Sequence, residues 1–204
     1  LPEQTGNRGF GVSIAMDGGI VVGGARTHFD PDVGFTLGAV YLFDVSTGNQ
    51  LHRLESHNNT WTDFFGDAVD IDDGILAAGA WAKSIYFDHS GAAYLFDAAA
   101  GSQLAYIVPD DGYDRDHFGL SISIDGGIVA IGADGDDDSA WSAGSAYLYD
   151  ATDITLINKL LVSDGAEFDL FGSSIAIENG LVAAGAIGFG GSGTATGYVG
   201  VFSG

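Results

Sequence analysis

Large apolar side chains alternate with small or polar ones in short runs along the chain. From Phe10 to Asp17 the even positions hold Phe, Val, Ile and Met, and the odd positions hold Gly, Ser, Ala and Asp. The stretch from Phe118 to Asp125 alternates in the same way. An alternation of period two predicts a β-strand with two different faces. The small side chains on one face predict the close approach of a neighbouring sheet.

Each such strand is followed by a two-residue turn and then by further predicted strands. The turns need positive φ, which Gly, Asn and Asp supply: Gly18-Gly19, Asp73-Gly74, Gly126-Gly127 and Asn179-Gly180. The second strands are predicted at Ile20–Gly24, Ile75–Gly79, Ile128–Gly132 and Leu181–Gly185. The third strands are predicted at Ala39–Phe43, Ala92–Phe96, Ser145–Tyr149 and Tyr198–Phe202. The fourth strands are predicted at Gln50–Leu54, Gln103–Val108 and Leu156–Val162. No stretch shows helical periodicity.

This pattern occurs four times. Phe-Gly pairs open the repeats at Phe10, Phe65, Phe118 and Phe171, and Gly-Ala pairs follow at Gly24, Gly79, Gly132 and Gly185. Both series step by 55, 53 and 53 residues, so the repeats span about 10–64, 65–117, 118–170 and 171–204, the last one incomplete. Repeated units of four antiparallel strands predict an all-β protein, a β-propeller whose blades form one domain over residues 1–204. Stacked solenoid coils, which generally use shorter repeats, are the alternative.

The Phe-Gly and Gly-Ala pairs resemble the FG-GAP repeat, the blade unit of the integrin α-subunit propeller and of many secreted bacterial proteins. The resemblance implies a β-propeller outside the cytoplasm that serves adhesion or ligand binding. It also implies calcium in an Asp-rich loop between the first two strands of a blade. Here that place holds only two-residue turns, too short for the roughly six to eight oxygen ligands of calcium. Because the chain begins and ends within a blade, we expect it to be part of a larger propeller.

Charge and composition exclude several classes of function. The chain has 28 acidic and 6 basic residues, a formal net charge of −22, which repels phosphate backbones. We therefore expect no nucleic-acid partner. Cysteine is absent, so disulfides and thiolate chemistry are excluded. No apolar run approaches the about 20 residues of a transmembrane helix, so we expect no transmembrane segment.

The long connections are predicted to share one side of the molecule, named here the long-loop face. Alternate connections of an antiparallel blade lie on the same side, and loops on a rigid scaffold are where function concentrates. The long second-to-third connections are Arg26–Leu37, Trp81–Ser90, Asp134–Ala143 and Ile187–Thr196. The long fourth-to-first connections are Glu55–Phe64, Pro109–His117 and Ser163–Leu170.

Aromatic and polar residues in these loops are candidates for contact with a protein or glycan ligand. The candidates are Arg26, His28, Phe29, Trp81, Tyr86, Phe87 and Trp141. The alternative for Trp81, Tyr86 and Phe87 is that they fold back over the blade edges and only pack.

Acidic residues give one candidate metal site and one recurring structural position. Carboxylates alternate around a glycine at Asp134, Asp136 and Asp138, which resembles the start of a calcium loop; a solvated acidic turn is the alternative. No other cofactor is indicated. The position two residues before Phe-Gly holds Asp in three repeats, and we expect it to accept backbone N–H bonds at the turn into the first strand. These residues are Asp63, Asp116 and Asp169.

These observations predict a non-enzymatic interaction or adhesion module, secreted or at the cell surface, that binds a protein or glycan through the long-loop face. A structural subunit of a surface layer, filament or larger complex is the alternative, because open blade edges invite pairing with neighbouring subunits. A polysaccharide-active enzyme is a third hypothesis, because propellers carry such sites, but no set of residues here argues for it.

Overall fold

The computed structural model describes residues 8–30, 35–56, 63–85, 87–163, 165–188 and 198–203. Within these ranges the protein is all-β, and no helix is present. None of the described segments is a helix long and apolar enough to cross a membrane.

The strands form four separate antiparallel sheets, each made of consecutive strands. Blade 1 contains β1 (Arg8–Asp17), β2 (Ile20–Asp30), β3 (Phe35–Asp44) and β4 (Gln50–Leu54). Blade 2 contains β5 (Val69–Asp72), β6 (Ile75–Ala80), β7 (Ala92–Asp97) and β8 (Gln103–Ile107). Blade 3 contains β9 (Ser121–Asp125), β10 (Ile128–Ala133), β11 (Ser145–Asp150) and β12 (Leu156–Leu160). Blade 4 contains β13 (Phe171–Glu178), β14 (Leu181–Ala186) and β15 (Tyr198–Ser203).

The blades confirm the β-propeller fold predicted from the repeat. Strand order within each sheet follows chain order, as in the meander of a propeller blade, with four strands in blades 1 to 3 and three described strands in blade 4. The two-residue turns also have the predicted conformation. In blade 2 the φ angles of Asp73 and Gly74 are 43° and 77°, and in blade 4 those of Asn179 and Gly180 are 50° and 75°. Two successive positive φ angles are those of a type I′ hairpin turn.

One prediction about the loops is wrong in blade 1. The segment Arg26–Leu37 was expected to be a long connection, but β2 extends to Asp30 and β3 begins at Phe35. The two strands pair across this region after a register shift between Ala25 and His28. The Thr, His, Phe and Leu side chains of this segment suit a pleated strand as well as a loop, so the hairpin continues beyond the Gly-Ala pair.

Each blade has two different faces. The leading face carries the Phe of the Phe-Gly pair and the aromatic residues of the third strand. The trailing face carries the small side chains of the first strand together with aliphatic residues of the later strands. The leading face of blade 2, with Phe65, Tyr94 and Phe96, packs against Val40 and Leu42 on the trailing face of blade 1. Two further cores of the same kind join blade 2 to blade 3 and blade 3 to blade 4. The core of the protein therefore consists of layers between blades.

The paired glycines of the repeat make this packing possible. A Cβ atom at Gly24 would overlap the carbonyl oxygen of Gly66, the glycine of the next Phe-Gly pair. Gly79 lies in the same way against Gly119, and Gly132 lies against Gly172. Only a glycine allows two backbones to approach so closely. The Gly-Ala pair of one blade thus receives the Phe-Gly pair of the next blade.

Candidate functional site

The long connections of blades 2 and 3 do lie side by side. The backbone N–H of Arg115 donates to the carbonyl oxygen of Asp88 at 2.7 Å, and that of His117 donates to His89 at 3.2 Å. One blade further on, Phe168 N–H donates to the carbonyl oxygen of Trp141 at 2.9 Å. The second-to-third connection of one blade is therefore bonded to the fourth-to-first connection that follows it, which builds a continuous long-loop face.

A groove opens on this face between blades 2 and 3. It encloses about 620 Å³. Three segments line it: the end of the second-to-third connection of blade 2, the segment before Phe118, and the second-to-third connection of blade 3. The lining residues are Asp88, Tyr113, Asp114, Arg115, His117, Gly135, Asp137, Trp141 and Ser142.

The chemistry of the groove is aromatic and acidic. Trp141 is 66% exposed and Tyr113 is 57% exposed. Three aspartates and one arginine lie beside these rings. Exposed aromatic rings flanked by charged groups suit sugars and protein side chains, because the ring offers apolar area while the charged groups fix orientation.

Hydrogen bonds hold the segments around the groove in place. The Asp114 carboxylate accepts the backbone N–H of Asp88 at 3.0 Å, and the Asp137 carboxylate accepts that of Ser142 at 2.6 Å. Nδ1 of His117 lies 2.8 Å from Oδ1 of Asp134. A site whose loops are already fixed loses less conformational freedom when it binds.

The residue before Phe-Gly has a left-handed backbone conformation in three blades, so this conformation belongs to the repeat. The residue before Phe-Gly has a φ of 52° at Phe64, 58° at His117 and 57° at Leu170. A strained backbone at one place indicates a functional site, whereas strain at the same position of three blades indicates a structural role. This conformation turns the side chain toward the residue that follows Gly-Ala. In blade 2 the pair is Phe64 stacked on Trp81 with ring centroids 5.2 Å apart.

The predicted ligand-binding residues separate into two groups. Trp141 lines the groove. The ring of Phe87 packs on Tyr113, with centroids 4.6 Å apart. Trp81 is instead held inside the loops, since its Nε1 donates to the carboxylate of Asp67 at 2.8 Å. Trp81 therefore packs within the loops, and its contact with a ligand stays a prediction.

Arg26 shares the carboxylate that holds Trp81. Its Nη1 lies 3.2 Å from Oδ1 of Asp67, and its side chain is only partly covered. This contact lies between blades 1 and 2, and neither Arg26 nor Asp67 lines the groove. His28 and Phe29 belong to β2, but their side chains, like the whole of Tyr86, lie outside the described part of the chain.

Sequence reasoning missed most of the groove. Tyr113, Asp114, Arg115 and His117 come from a loop that was recognised as long but whose residues were not singled out. The available signal was the sequence of residues 110–117, in which one Tyr, one Arg and one His lie among five residues of Asp and Gly. Their meeting with Trp141 depends on which blades are neighbours and could not be read from spacing.

The structure does not bring the three predicted metal ligands together. Asp134 pairs with His117, as described above. Asp136 and Asp138 instead bind the ammonium group of Lys159, at 2.9 Å and 2.6 Å from Nζ. No group of three or more acidic or histidine side chains suited to a metal ion was found among the described residues. Calcium at this turn stays a prediction.

Lys159 is the centre of a small charged cluster beneath the long-loop face. Asp111 is a third carboxylate on its Nζ, at 2.8 Å, and the ring of Tyr147 lies 4.8 Å from the same atom. Burial acts to lower the pKa of Lys159, but its bonds to the three carboxylates outweigh burial and raise it. Burial likewise acts to raise the pKa of Asp111, and Lys159 lowers it overall.

Two of the three aspartates before Phe-Gly have the expected structural role of accepting a backbone N–H. The carboxylate of Asp116 accepts the backbone N–H of Tyr113 at 2.6 Å, and that of Asp169 accepts Ala166 N–H at 2.7 Å. Asp63 forms a buried ion pair with Lys83 at 2.6 Å. Oδ1 of Asp116 is buried without a hydrogen-bond partner in the described part of the chain. Burial raises the pKa of Asp116 to about 6.

Comparison with known families agrees with the geometry. The family model described as FG-GAP repeat matches the chain twice, over residues 102–149 and 154–202, just under half of its length. These matches support an FG-GAP repeat protein, and the four blades agree with it. FG-GAP propellers are typically non-enzymatic interaction modules of extracellular and surface proteins. No curated protein matches the chain.

Proposed function

We propose that this protein is an extracellular or cell-surface interaction module that binds a protein or glycan through the groove between blades 2 and 3. The observation that carries the proposal is the exposure of Trp141 and Tyr113 in a groove whose walls are fixed by hydrogen bonds. Two large exposed rings that line one groove are typical of an interaction site.

The charge of the groove narrows the class of ligand. Asp88, Asp114 and Asp137 line it, and the whole chain carries a net charge of −22. An anionic ligand would be repelled, so neutral glycans and basic protein segments are the favoured ligands. Sugar rings stack on Trp and Tyr, and Lys or Arg side chains pair with the carboxylates and cover the rings.

The first prediction tests the groove with a double variant, Tyr113→Ala with Trp141→Ala. Both side chains are exposed, so the melting temperature should change little, while affinity should fall about tenfold or more because aromatic anchors dominate binding energy. The measurement is a screen of wild-type protein on a neutral-glycan array and a basic-peptide library, followed by calorimetric titration of each hit.

The control is Leu104→Ala with Leu156→Ala, two exposed apolar residues on the outer strands of blades 2 and 3. These changes should leave affinity unaltered. Binding that survives loss of both groove rings would contradict the proposed site. So would a wild-type protein that binds nothing in either screen.

A second candidate function is that of a structural subunit in a larger assembly. The observation that favours it is an apolar sheet face on blade 1, where Ile14 and Met16 are exposed in the described part of the chain. This surface lies on the first strand, away from the groove, so the two functions are compatible.

A further inference from the structure

The groove between blades 2 and 3 carries more negative charge than its own cations neutralise. Asp88, Asp114 and Asp137 line it, and Arg115 is the one lysine or arginine among its lining residues. The Arg115 side chain is 74% exposed, and its Nε lies 3.9 Å from Oδ2 of Asp88, at the outer limit of an ion pair. Exposed pairs of this kind contribute little. The acidic charge of the groove is therefore largely uncompensated.

Two of these carboxylates are held in place by the backbone and keep one oxygen unused. Oδ1 of Asp114 accepts the N–H of Asp88 at 3.0 Å, and Oδ1 of Asp137 accepts that of Ser142 at 2.6 Å. In the described part of the chain, Oδ2 of neither aspartate has a hydrogen-bond or ion-pair partner. A fixed carboxylate with an unused oxygen can accept a donor from a ligand with little loss of conformational freedom.

The other bases near this face are already engaged. The sequence contains only two lysines, Lys83 and Lys159. Lys83 pairs with Asp63 at 2.6 Å, and Lys159 binds three carboxylates beneath the long-loop face. His117, the remaining base of the groove, is engaged with Asp134. A ligand that supplies positive charge therefore meets carboxylates that these bases leave unpaired.

The aromatic rings of the groove suit the same kind of ligand. Trp141 and Tyr113 are exposed, and Phe87 packs on Tyr113 with centroids 4.6 Å apart. The aliphatic stem of a lysine or arginine side chain packs on such rings, and its charged end is attracted to their faces. A neutral sugar can also stack on the rings, but it leaves the charge of the carboxylates uncompensated. Rings beside unpaired carboxylates therefore favour a cationic side chain.

We propose that this groove binds a lysine or arginine side chain of a basic protein segment. The cationic group pairs with Asp114 and Asp137, and the stem covers Trp141 or Tyr113. A basic protein segment is one of the two ligand classes named above for the groove, so this assignment rests on the proposed function and narrows it. Charge complementarity selects the basic segment over the neutral glycan.

Arg115 opposes such a ligand, because its positive charge lies in the same groove. Its side chain is exposed, so its replacement should leave the fold unchanged. Removing a like charge from a binding site strengthens the attraction for a cation. Arg115→Gln should therefore raise the affinity for a cationic segment by about twofold or more, and it should not raise the affinity for the uncharged analogue of that segment.

The salt dependence of binding follows from the same charges. Dissolved ions screen the attraction between exposed carboxylates and a cationic ligand. Affinity for a basic segment should therefore fall several-fold between about 0.05 M and about 0.5 M salt. Affinity for a neutral ligand should change much less.

The experiment uses two labelled octapeptide libraries that differ at two central positions. One library carries lysine or arginine there, and the other carries their uncharged analogues, norleucine and citrulline. The remaining positions hold uncharged residues in both libraries. Fluorescence anisotropy with the whole chain measures the affinity for each library in low and in high salt, beside the neutral-glycan array described above.

The test variant is Asp114→Asn with Asp137→Asn. Each asparagine keeps an oxygen that can accept the backbone N–H and loses only the negative charge, so the variant should fold, which circular dichroism and melting curves check. The matched control is Asp153→Asn. Asp153 is exposed and accepts the backbone N–H of Thr155 at 2.9 Å in the third-to-fourth turn of blade 3, outside the groove.

We expect the wild-type chain to bind the charged library about tenfold more tightly than the uncharged one. The double variant should lose this preference, Asp153→Asn should keep it, and Arg115→Gln should increase it. If the double variant does not fold, Arg115→Gln decides the outcome, because it leaves both carboxylates in place.

Equal binding of the two libraries by the wild-type chain would overturn the assignment. So would an unchanged preference for the charged library in a folded double variant, or weaker binding of that library by Arg115→Gln. Binding of neutral glycans alone would also overturn it, but would leave the proposed function of the groove intact. A chain that binds neither peptides nor glycans would contradict both.

Discussion

At the scale of single residues, Asp116 makes a structural hydrogen bond, but the burial of its carboxylate costs free energy. One carboxylate oxygen accepts the backbone N–H of Tyr113, while the other is buried without a partner in the described residues. Burial is the largest influence on its pKa, and the charges of Asp136 and Asp137 reinforce it. The ionised form of Asp116 is therefore disfavoured in the folded protein.

This arrangement predicts how stability depends on pH. The pKa of Asp116 rises from 3.8 to about 6 on folding, so the folded protein binds more protons than the unfolded chain between these values. The stability that protonated Asp116 contributes is complete below pH 3.8 and is lost as pH rises through about 6.

The second prediction compares wild type with Asp116→Asn, which has no charge to titrate. The difference in unfolding free energy should change by about 1–3 kcal/mol between pH 4 and pH 7, in favour of the variant at pH 7. Urea unfolding at several pH values measures it. A constant difference across this range would show that Asp116 ionises normally.

Lys159 differs from Asp116, because its neighbours stabilise its charged form in the folded protein. Three carboxylates surround its ammonium group, and two of them are partly exposed. Removing the ammonium would leave these charges uncompensated beside one another.

The third prediction concerns Lys159→Met, which should destabilise the protein by about 1–3 kcal/mol, while Lys159→Arg should retain most of the stability because it keeps the charge. Melting curves with calcium or with chelator extend the test to the predicted metal site. Calcium should raise the melting temperature of Lys159→Met and not of wild type, because the ammonium already holds Asp136 and Asp138. A calcium effect in wild type would contradict this expectation and would show that calcium either displaces Lys159 at this turn or binds at another site.

At the scale of secondary-structure elements, adjacent glycines on one strand have different roles. Gly23 and Gly24 are consecutive in β2 and point to opposite faces. A Cβ atom at Gly23 would lie 3.4 Å from the ring of Phe10, an ordinary contact. At Gly24 it would overlap the backbone of the next blade.

The fourth prediction uses this pair. Gly24→Ala should lower the free energy of unfolding by about 1–3 kcal/mol, because the added methyl group forces the backbone of the next blade to move away. Gly23→Ala should be neutral or slightly stabilising, because alanine restricts the unfolded chain more than glycine does. Thermal unfolding measures the stability of the two variants. Equal changes in stability would contradict the close approach of blades 1 and 2.

At the scale of the whole molecule, the repeat has different consequences on the sheet faces and on the long-loop face. On the sheet faces the same residues recur, so every contact between blades is built alike. On the long-loop face the same positions differ from blade to blade. The residue after Gly-Ala is Trp81 in blade 2 and Asp134 in blade 3, and their partners before Phe-Gly are Phe64 and His117. One scaffold thus presents different chemistry in each blade, as an interaction module requires.

The sequence by itself determined the blades. The period-two alternation, the paired turn residues and the recurrence of Phe-Gly and Gly-Ala are local, and each has a local physical cause in strand pleat, positive φ and close backbone approach. Strand positions within each blade were therefore largely predictable. The exceptions are the extended hairpin of blade 1 and the first strand of blade 3, which begins at Ser121 rather than at Phe118.

Only the tertiary structure decided which side chains meet. Trp81 and Trp141 look alike in the sequence, yet one is bonded to Asp67 inside the loops and the other is exposed in the groove. Lys159 was not predicted to lie among the acidic residues of a turn about 20 positions away. Such contacts depend on how neighbouring loops cross, and spacing along the chain carries no record of that geometry.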